Sequence, residues 1–179
     1  MENSADIAQI VGQAAKNKPL AQRALYNMFH REMLGLCIRL TGSNHLAEDI
    51  LQEGFVKAFT KIKSLHHNGK FHGWLKRIMV HECMNYQRKA MKFEELDNYT
   101  IADESDEDDN WYKLISFEEI NKEIDLLPNG CRQIFTLHLI ENYKHKEIAN
   151  MLGISVSTAK SQYQYALKLL RDKLKERLL

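Results

Sequence analysis

The chain has 179 residues, 44% of them hydrophobic, and its 25 Lys plus Arg nearly cancel 24 Asp plus Glu to leave a formal net charge of +1. That apolar content excludes wholesale disorder, and 8 Gly with 2 Pro are too few for a turn-rich all-β fold or an α/β fold with many Gly-bearing loops. Three dispersed cysteines without a CxxC exclude a disulfide framework and a structural zinc site. The absence of a signal-peptide pattern, or of any run near the ~18 apolar residues of a membrane span, makes a cytoplasmic protein without membrane insertion the expectation.

Helical periodicity dominates from residue 20 onward. Leu20, Ala24, Leu25, Met28, Leu36 and Leu40 recur mostly at three- and four-residue spacings and predict a helix over 20–41. Thr41-Gly42-Ser43-Asn44 stops it, with Gly for a left-handed cap and Ser or Asn to start the next helix. Ala47, Leu51, Phe55, Ala58, Phe59, Ile62 and Leu65 form one face of a helix over 46–65. His66-His67-Asn68-Gly69-Lys70 is a polar break, and a further helix is expected over about 71–92.

Residues 97–109 hold seven acids and no base, so they read as a solvated linker. Periodicity returns near Trp111, Pro128 suits a helix start, and helices are expected at about 129–141, 144–152 and 155–176. The predicted fold is all-α: two small helical domains, 1–93 and 113–179, joined by a flexible acidic linker at 94–112. Charge follows this division. Residues 1–96 carry a net +5 and residues 110–179 a net +3, so two basic lobes flank the acidic strip and point to a polyanionic partner.

The second lobe carries the clearest motif. Residues 144–168 read as helix, tight turn, helix. Ala149 permits close approach, Gly153 the positive φ of the turn, Ile154 a plug between the helices and Ser155 an N-cap. Ala159, Tyr163, Ala166, Leu167, Leu170 and Leu174 form the apolar stripe of the second helix. Ser157, Lys160, Ser161, Gln164 and Lys168 fall opposite, on a face with no acid before Asp172. Hydroxyls, an amide and lysines on one helix suit base edges and phosphates in a major groove.

The first lobe has two candidate surfaces. Residues 54–93 hold nine Lys or Arg against the single acid Glu82, interleaved with Phe71, Trp74 and Tyr86, a composition that suits stacked bases and tracked phosphates. On the preceding helix, Asp49, Gln52, Glu53 and Val56 stand opposite the apolar stripe and could dock a basic protein helix.

Together these runs resemble the extracytoplasmic-function (ECF) sigma factors, small promoter-recognition subunits of bacterial RNA polymerase. The resemblance rests on Ala47-Glu48-Asp49-Ile50-Leu51-Gln52-Glu53-Gly54-Phe55, on Phe71-His72-Gly73-Trp74-Leu75-Lys76-Arg77-Ile78, on Leu127-Pro128 and on the 144–168 helix-turn-helix, in the family's order and spacing. It implies that 1–93 corresponds to sigma region 2 and 113–179 to region 4. Asp49, Gln52 and Glu53 would dock on the clamp helices of the polymerase beta-prime subunit. Lys70, Trp74, Lys76, Arg77 and His81 would serve recognition and melting of the −10 element. Ser157, Thr158, Lys160, Ser161, Gln164 and Lys168 would read the −35 element. The implied partners are core RNA polymerase (beta-prime clamp helices and beta subunit), promoter DNA and an anti-sigma factor. No cofactor is implied. Relatives often carry Asn at the position of His81, and many carry Arg where Gln162 and Tyr165 stand.

An enzyme is not expected, because the chain has no Gly-rich phosphate loop, no GxSxG and no HExxH. His81-Glu82-Cys83, the group His138, Glu141 and His145, and the acidic strip all lack metal-site spacing. The rival reading is a stand-alone helix-turn-helix regulator, which accounts for the second lobe and leaves the first without a role.

Overall fold

The computed structural model describes residues 4–90 and 123–178, and all regular structure among them is helical. The acidic stretch 97–109 and the periodic segment from Trp111 lie outside the described residues. The chain divides into two compact units, Met1–Gln87 and Arg88–Leu179.

The first unit begins with a helix that periodicity from residue 20 onward does not reach, α1 (Ser4–Ala14). Its Val11 and Ala14 are fully buried. Helix α2 (Pro19–Thr41) opens with Pro at its first position, where the missing N–H costs no helical bond. It closes at Gly42, whose φ of 70° lets its N–H reach Ile38 O at 2.7 Å. Helix α3 (Asn44–Lys61) follows at once, capped by Ser43, whose Oγ accepts the Leu46 N–H. A 3₁₀ turn (Ile62–Ser64) and a second one (Asn68–Lys70) replace the helical end expected at Leu65 and lead into α4 (Phe71–Ala90).

The core of this unit is one apolar layer. Leu25, Met33, Leu36 and Leu40 of α2, Phe55 of α3, and Phe71, Leu75, Met79 and Met84 of α4 are nearly or wholly excluded from water. Full burial of each such side chain contributes about 1.5–3 kcal/mol before entropy is counted. Gly54 lets α3 and α4 close on one another. A β-carbon there would collide with Met79 Sδ and stand 2.8 Å from Met79 Cε. Cys37 and Cys83 lie in this core, and their hydrogen bond together with burial pushes the Cys83 thiol far above its ordinary value.

In the second unit, α5 (Asn129–Phe135) runs into a wide π-helical turn (Thr136–Ile140), closed by the Glu141 N–H bonding Thr136 O at 3.0 Å. Asn142, at φ 58°, reverses the chain. Helix α6 (His145–Leu152) starts with Glu147 Oε2 accepting the Lys144 N–H at 2.8 Å. It ends at Gly153, φ 72°, the residue expected to make the tight turn. Helix α7 (Val156–Leu178) follows. Ile134, Phe135, Leu137, Ile148, Ala149, Ala159, Tyr163, Ala166, Leu167 and Leu170 make its core. Cys131 is also buried, which pushes its thiol up to about 11. No helix among the described residues is long and apolar enough to cross a membrane.

Candidate nucleic-acid interface

The surface of α7 is set by its first turn. Ser155 Oγ accepts the Thr158 N–H at 2.9 Å and also bonds the Ser157 and Thr158 hydroxyls at 2.7 and 2.8 Å. This cap satisfies an otherwise unpaired N–H of the first turn, and the buried stripe from Ala159 to Leu170 turns the rest of the helix surface outward. At about 100° per residue, Lys160, Gln164, Ser157, Lys168 and Ser161 share one arc roughly 100° wide, turned about 120° from the centre of the buried stripe. Ser157, Lys160, Gln164 and Lys168 are exposed, while Ser161 is half-buried and donates its hydroxyl to Ser157 O at 2.8 Å. Thr158 lies beyond the edge of this arc and spends its hydroxyl on the cap. Arg171 falls within the same arc. The periodicity that selected Lys160 and Lys168 reaches it equally, and it extends the cationic face by one turn.

Gln162 is turned away from this face. A β-carbon at residue 130 would stand 2.7 Å from Gln162 Oε1, so this amide lies over Gly130 of α5. Gln162 therefore joins two helices of the unit instead of extending the outer grip.

Behind the face, His138 and His145, grouped in the sequence only as a metal site to be set aside, form an aromatic cluster with Tyr163. The His138 and His145 rings stack with centroids 3.9 Å apart and a tilt of 23°. Tyr163 of α7 meets both edge-on, at 4.7 and 5.4 Å. His138 Nδ1 donates to Tyr143 O at 2.8 Å, since a carbonyl can only accept, and this fixes the His138 tautomer. His145 Nδ1 is buried with no hydrogen-bond partner. Burial, then His138, then Lys160 hold the His145 imidazole below its ordinary value of 6.5.

On the first unit, α4 and the turn before it align four of the five candidate residues, Lys70 from the turn and the others from the helix. Lys70, Trp74, Arg77 and His81 lie on one strip with Gly73 and Asn85. Trp74 is half-buried against Phe71, with ring centroids 5.9 Å apart, and Phe71 leans on Phe29 at 5.7 Å. No other part of the chain packs within 4 Å of where a Gly73 side chain would begin, so the surface at Gly73 is open. Lys76 lies off this strip, on the flank toward α2. Its Nζ is 3.5 Å from Glu32 Oε1, and the same carboxylate holds His72 Nε2 at 2.8 and 2.9 Å. Lys76 is thus bound to an acid 44 positions earlier, a pairing that local sequence does not display. Tyr86 is exposed but off the strip.

A third surface lies on α3. Asp49, Gln52, Glu53 and Val56 recur at i, i+3, i+4 and i+7, and all four are exposed. Val56 is 65% exposed, a high value for a large apolar side chain in a unit with a closed core. Asp49 pairs with His45 at 3.4 Å. Lys57 bridges outward to Glu53 at 3.9 Å and back to Glu82 of α4. The Glu82 hydrogen bond raises the Lys57 ammonium above its ordinary value, burial partly opposes this, and the charges of Glu82 and Glu53 add to the rise.

The Sigma-70 region 2 family matches residues 25–93, and the Sigma-70 region 4 family matches residues 117–170. The ECF RNA polymerase sigma factor SigW of Bacillus subtilis (strain 168) is 28% identical, over 95% of this chain and 97% of that protein. The RNA polymerase sigma factor SigV of the same organism is 30% identical, over 72% and 75%. Among solved structures, CnrH in complex with the cytosolic domain of CnrY covers 95% of this chain and 97% of its own, at TM-score 0.53 and 19% identity. The sigma factor RpoE in complex with the anti-sigma factor NepR from Bartonella quintana covers 86% and 96%, at TM-score 0.51 and 20% identity. These two structures share the fold.

Proposed function

The chain belongs to the ECF sigma factors of the sigma-70 family, and from that premise we propose how its surfaces divide the work of initiation. It is an alternative sigma factor that directs promoter-specific transcription initiation. Its action is recognition and docking, not bond-making. Residues 1–93 act as the region 2 domain, 113–179 as the region 4 domain, and 94–112 as the link between them.

Asp49, Gln52 and Glu53 dock on basic residues of the beta-prime clamp helices, with Val56 as the apolar centre of the patch. Lys70, Trp74, Arg77 and His81 meet the −10 element. Trp74 offers a stacking face and the cations hold phosphates while bases leave the duplex. Lys76 contributes once DNA phosphate competes with Glu32. The α7 arc of Ser157, Lys160, Ser161, Gln164 and Lys168 enters the −35 major groove, with Thr158 supporting the cap. Two DNA contacts on one chain strengthen each other only at a spacing the polymerase sets. An anti-sigma factor is a further partner, the class of protein that RpoE of Bartonella quintana binds in its complex with NepR.

The observation that carries this reading is the succession of the two family regions in one chain, with an exposed acidic-amide patch on the first and an exposed cationic arc on the second. A stand-alone regulator would leave the α3 patch and the α4 strip without a role. Purified core polymerase with this protein should initiate at discrete starts on genomic template. Tight duplex binding by the protein alone, with no stimulation of core, would favour the regulator.

A further inference from the structure

Helix α1 lies ahead of the residues matched by the region 2 family, so neither that match nor the surfaces above give it a task. Its packing gives it one. Val11 and Ala14 are fully buried, and the helix lies against both α2 and the 3₁₀ turn Asn68–Lys70. That turn sits inside the polar break between α3 and α4 and ends on the candidate phosphate contact Lys70, two residues after Asn68.

A single side chain makes the tie. Asn68 Nδ2 donates to Ala8 O at 3.2 Å, across 60 positions of sequence. Ala8 and Gly12 are one helical turn apart and share a face. A β-carbon on Gly12 would stand 3.4 Å from Asn68 Nδ2, in van der Waals contact, so the amide lies directly against Gly12. The same turn is closed by the Lys70 N–H bonding His67 O at 2.9 Å, and Phe71, the first residue of α4, is fully buried. His66, His67, Gly69 and Lys70 are exposed. Asn68 is thus the side chain by which an otherwise solvent-facing segment is fastened to a rigid element.

We propose that Asn68 is a positioning residue for recognition of the −10 element. Seated on α1 at Ala8 and Gly12, it holds the His66–Lys70 segment in one conformation as DNA arrives. The segment then gives up little freedom on binding, and Lys70 meets the strand beside Trp74. This inference rests on the assignment of the α4 strip to the −10 element.

The test uses full-length protein with core polymerase on a promoter taken from the wild-type holoenzyme's own transcript starts. Asn68→Leu removes the donor while keeping the number and branching of the side-chain heavy atoms, and Asn68→Gln keeps the amide on a longer stem. Promoter opening, read by permanganate reactivity of unpaired thymines, should slow about fivefold in Asn68→Leu, the worth of one hydrogen bond. Its tolerance of −10 base changes should broaden, while core binding stays at the wild-type level and the thermal midpoint falls by no more than the loss of one hydrogen bond, well above the assay temperature. Asn68→Gln should recover most of the loss. Gly12→Val, which crowds the amide from the other side, should reproduce the slow opening. Wild-type opening and base preference in Asn68→Leu would overturn the inference alone. So would a loss in opening that only tracks a lowered thermal midpoint. A wild-type holoenzyme that opens no promoter would overturn the underlying assignment and the inference with it.

Discussion

His138 and His145 stack ring on ring, 3.9 Å between centroids, at the point where the wide turn after α5 meets α6 beneath the outward face of α7. Two imidazoles at this separation cannot both carry charge cheaply. His145 is the one held neutral, by burial first and then by His138 and Lys160. Its depressed proton affinity has a definite sign. Above 6.5, the ordinary value, neither folded nor unfolded chain protonates here, and the contribution to stability is complete. As pH falls below that value the unfolded chain gains a proton that the fold refuses, and stability declines until the folded value is passed. Thermal midpoints from pH 7.5 to 5 should therefore fall more steeply for wild type than for His145→Phe, which keeps a ring and cannot titrate. Parallel profiles would remove His145 from this role.

The α3 patch is exposed and takes no part in the core. Asp49→Lys combined with Gln52→Ala should weaken core-polymerase binding by about tenfold, as expected for charges at an interface rim and its neighbour. The thermal midpoint and binding to a −35 duplex should stay unchanged. Loss of folding in the double variant would show the face to be structural.

Glu32 holds His72 and Lys76 together. Glu32→Gln should release a cation beside the α4 strip. Affinity of the holoenzyme for a −10 fork template should rise, and its salt dependence should steepen by about one counterion. An unchanged slope would mean that Lys76 never reaches phosphate.

Gly54 is where α3 and α4 come closest, against Met79. Gly54→Ala should cost about 1–3 kcal/mol through overpacking, softened because the Met79 side chain can move. Urea unfolding should show the loss, and Gly54→Ala with Met79→Leu should recover part of it. No loss in the single variant would show that Met79 yields freely.

Much of this was legible in sequence because it is local. The Gly42 and Gly153 stops, the Ser43 and Ser155 caps and the outward arc of α7 follow from spacing and turn chemistry within a few residues. Helix α1 carries Ile7, Ile10, Val11 and Ala14 at helical spacings, yet it is only 11 residues long. Such a helix owes its stability to packing on α2 and the Asn68 turn, which periodicity does not encode. The same reason hides the Lys76–Glu32 pair, the seat of Gln162 over Gly130 and the stacking of His138 on His145 against Tyr163. Each joins residues brought together by the fold, the last through a π turn that shifts His138 by a residue relative to a regular helix.

The three buried thiols make the protein its own unfolding gauge. Cys37 and Cys83 are sealed in the first unit and Cys131 in the second. Enclosure, together with the raised proton affinity of Cys83 and Cys131, keeps the thiols from alkylating reagents while the chain is folded. A brief pulse of iodoacetamide during a denaturant series, followed by mass analysis of the peptides, would then report each unit's opening separately. The native sequence suffices, with no dye, tag or substitution to disturb the surfaces that meet polymerase and promoter.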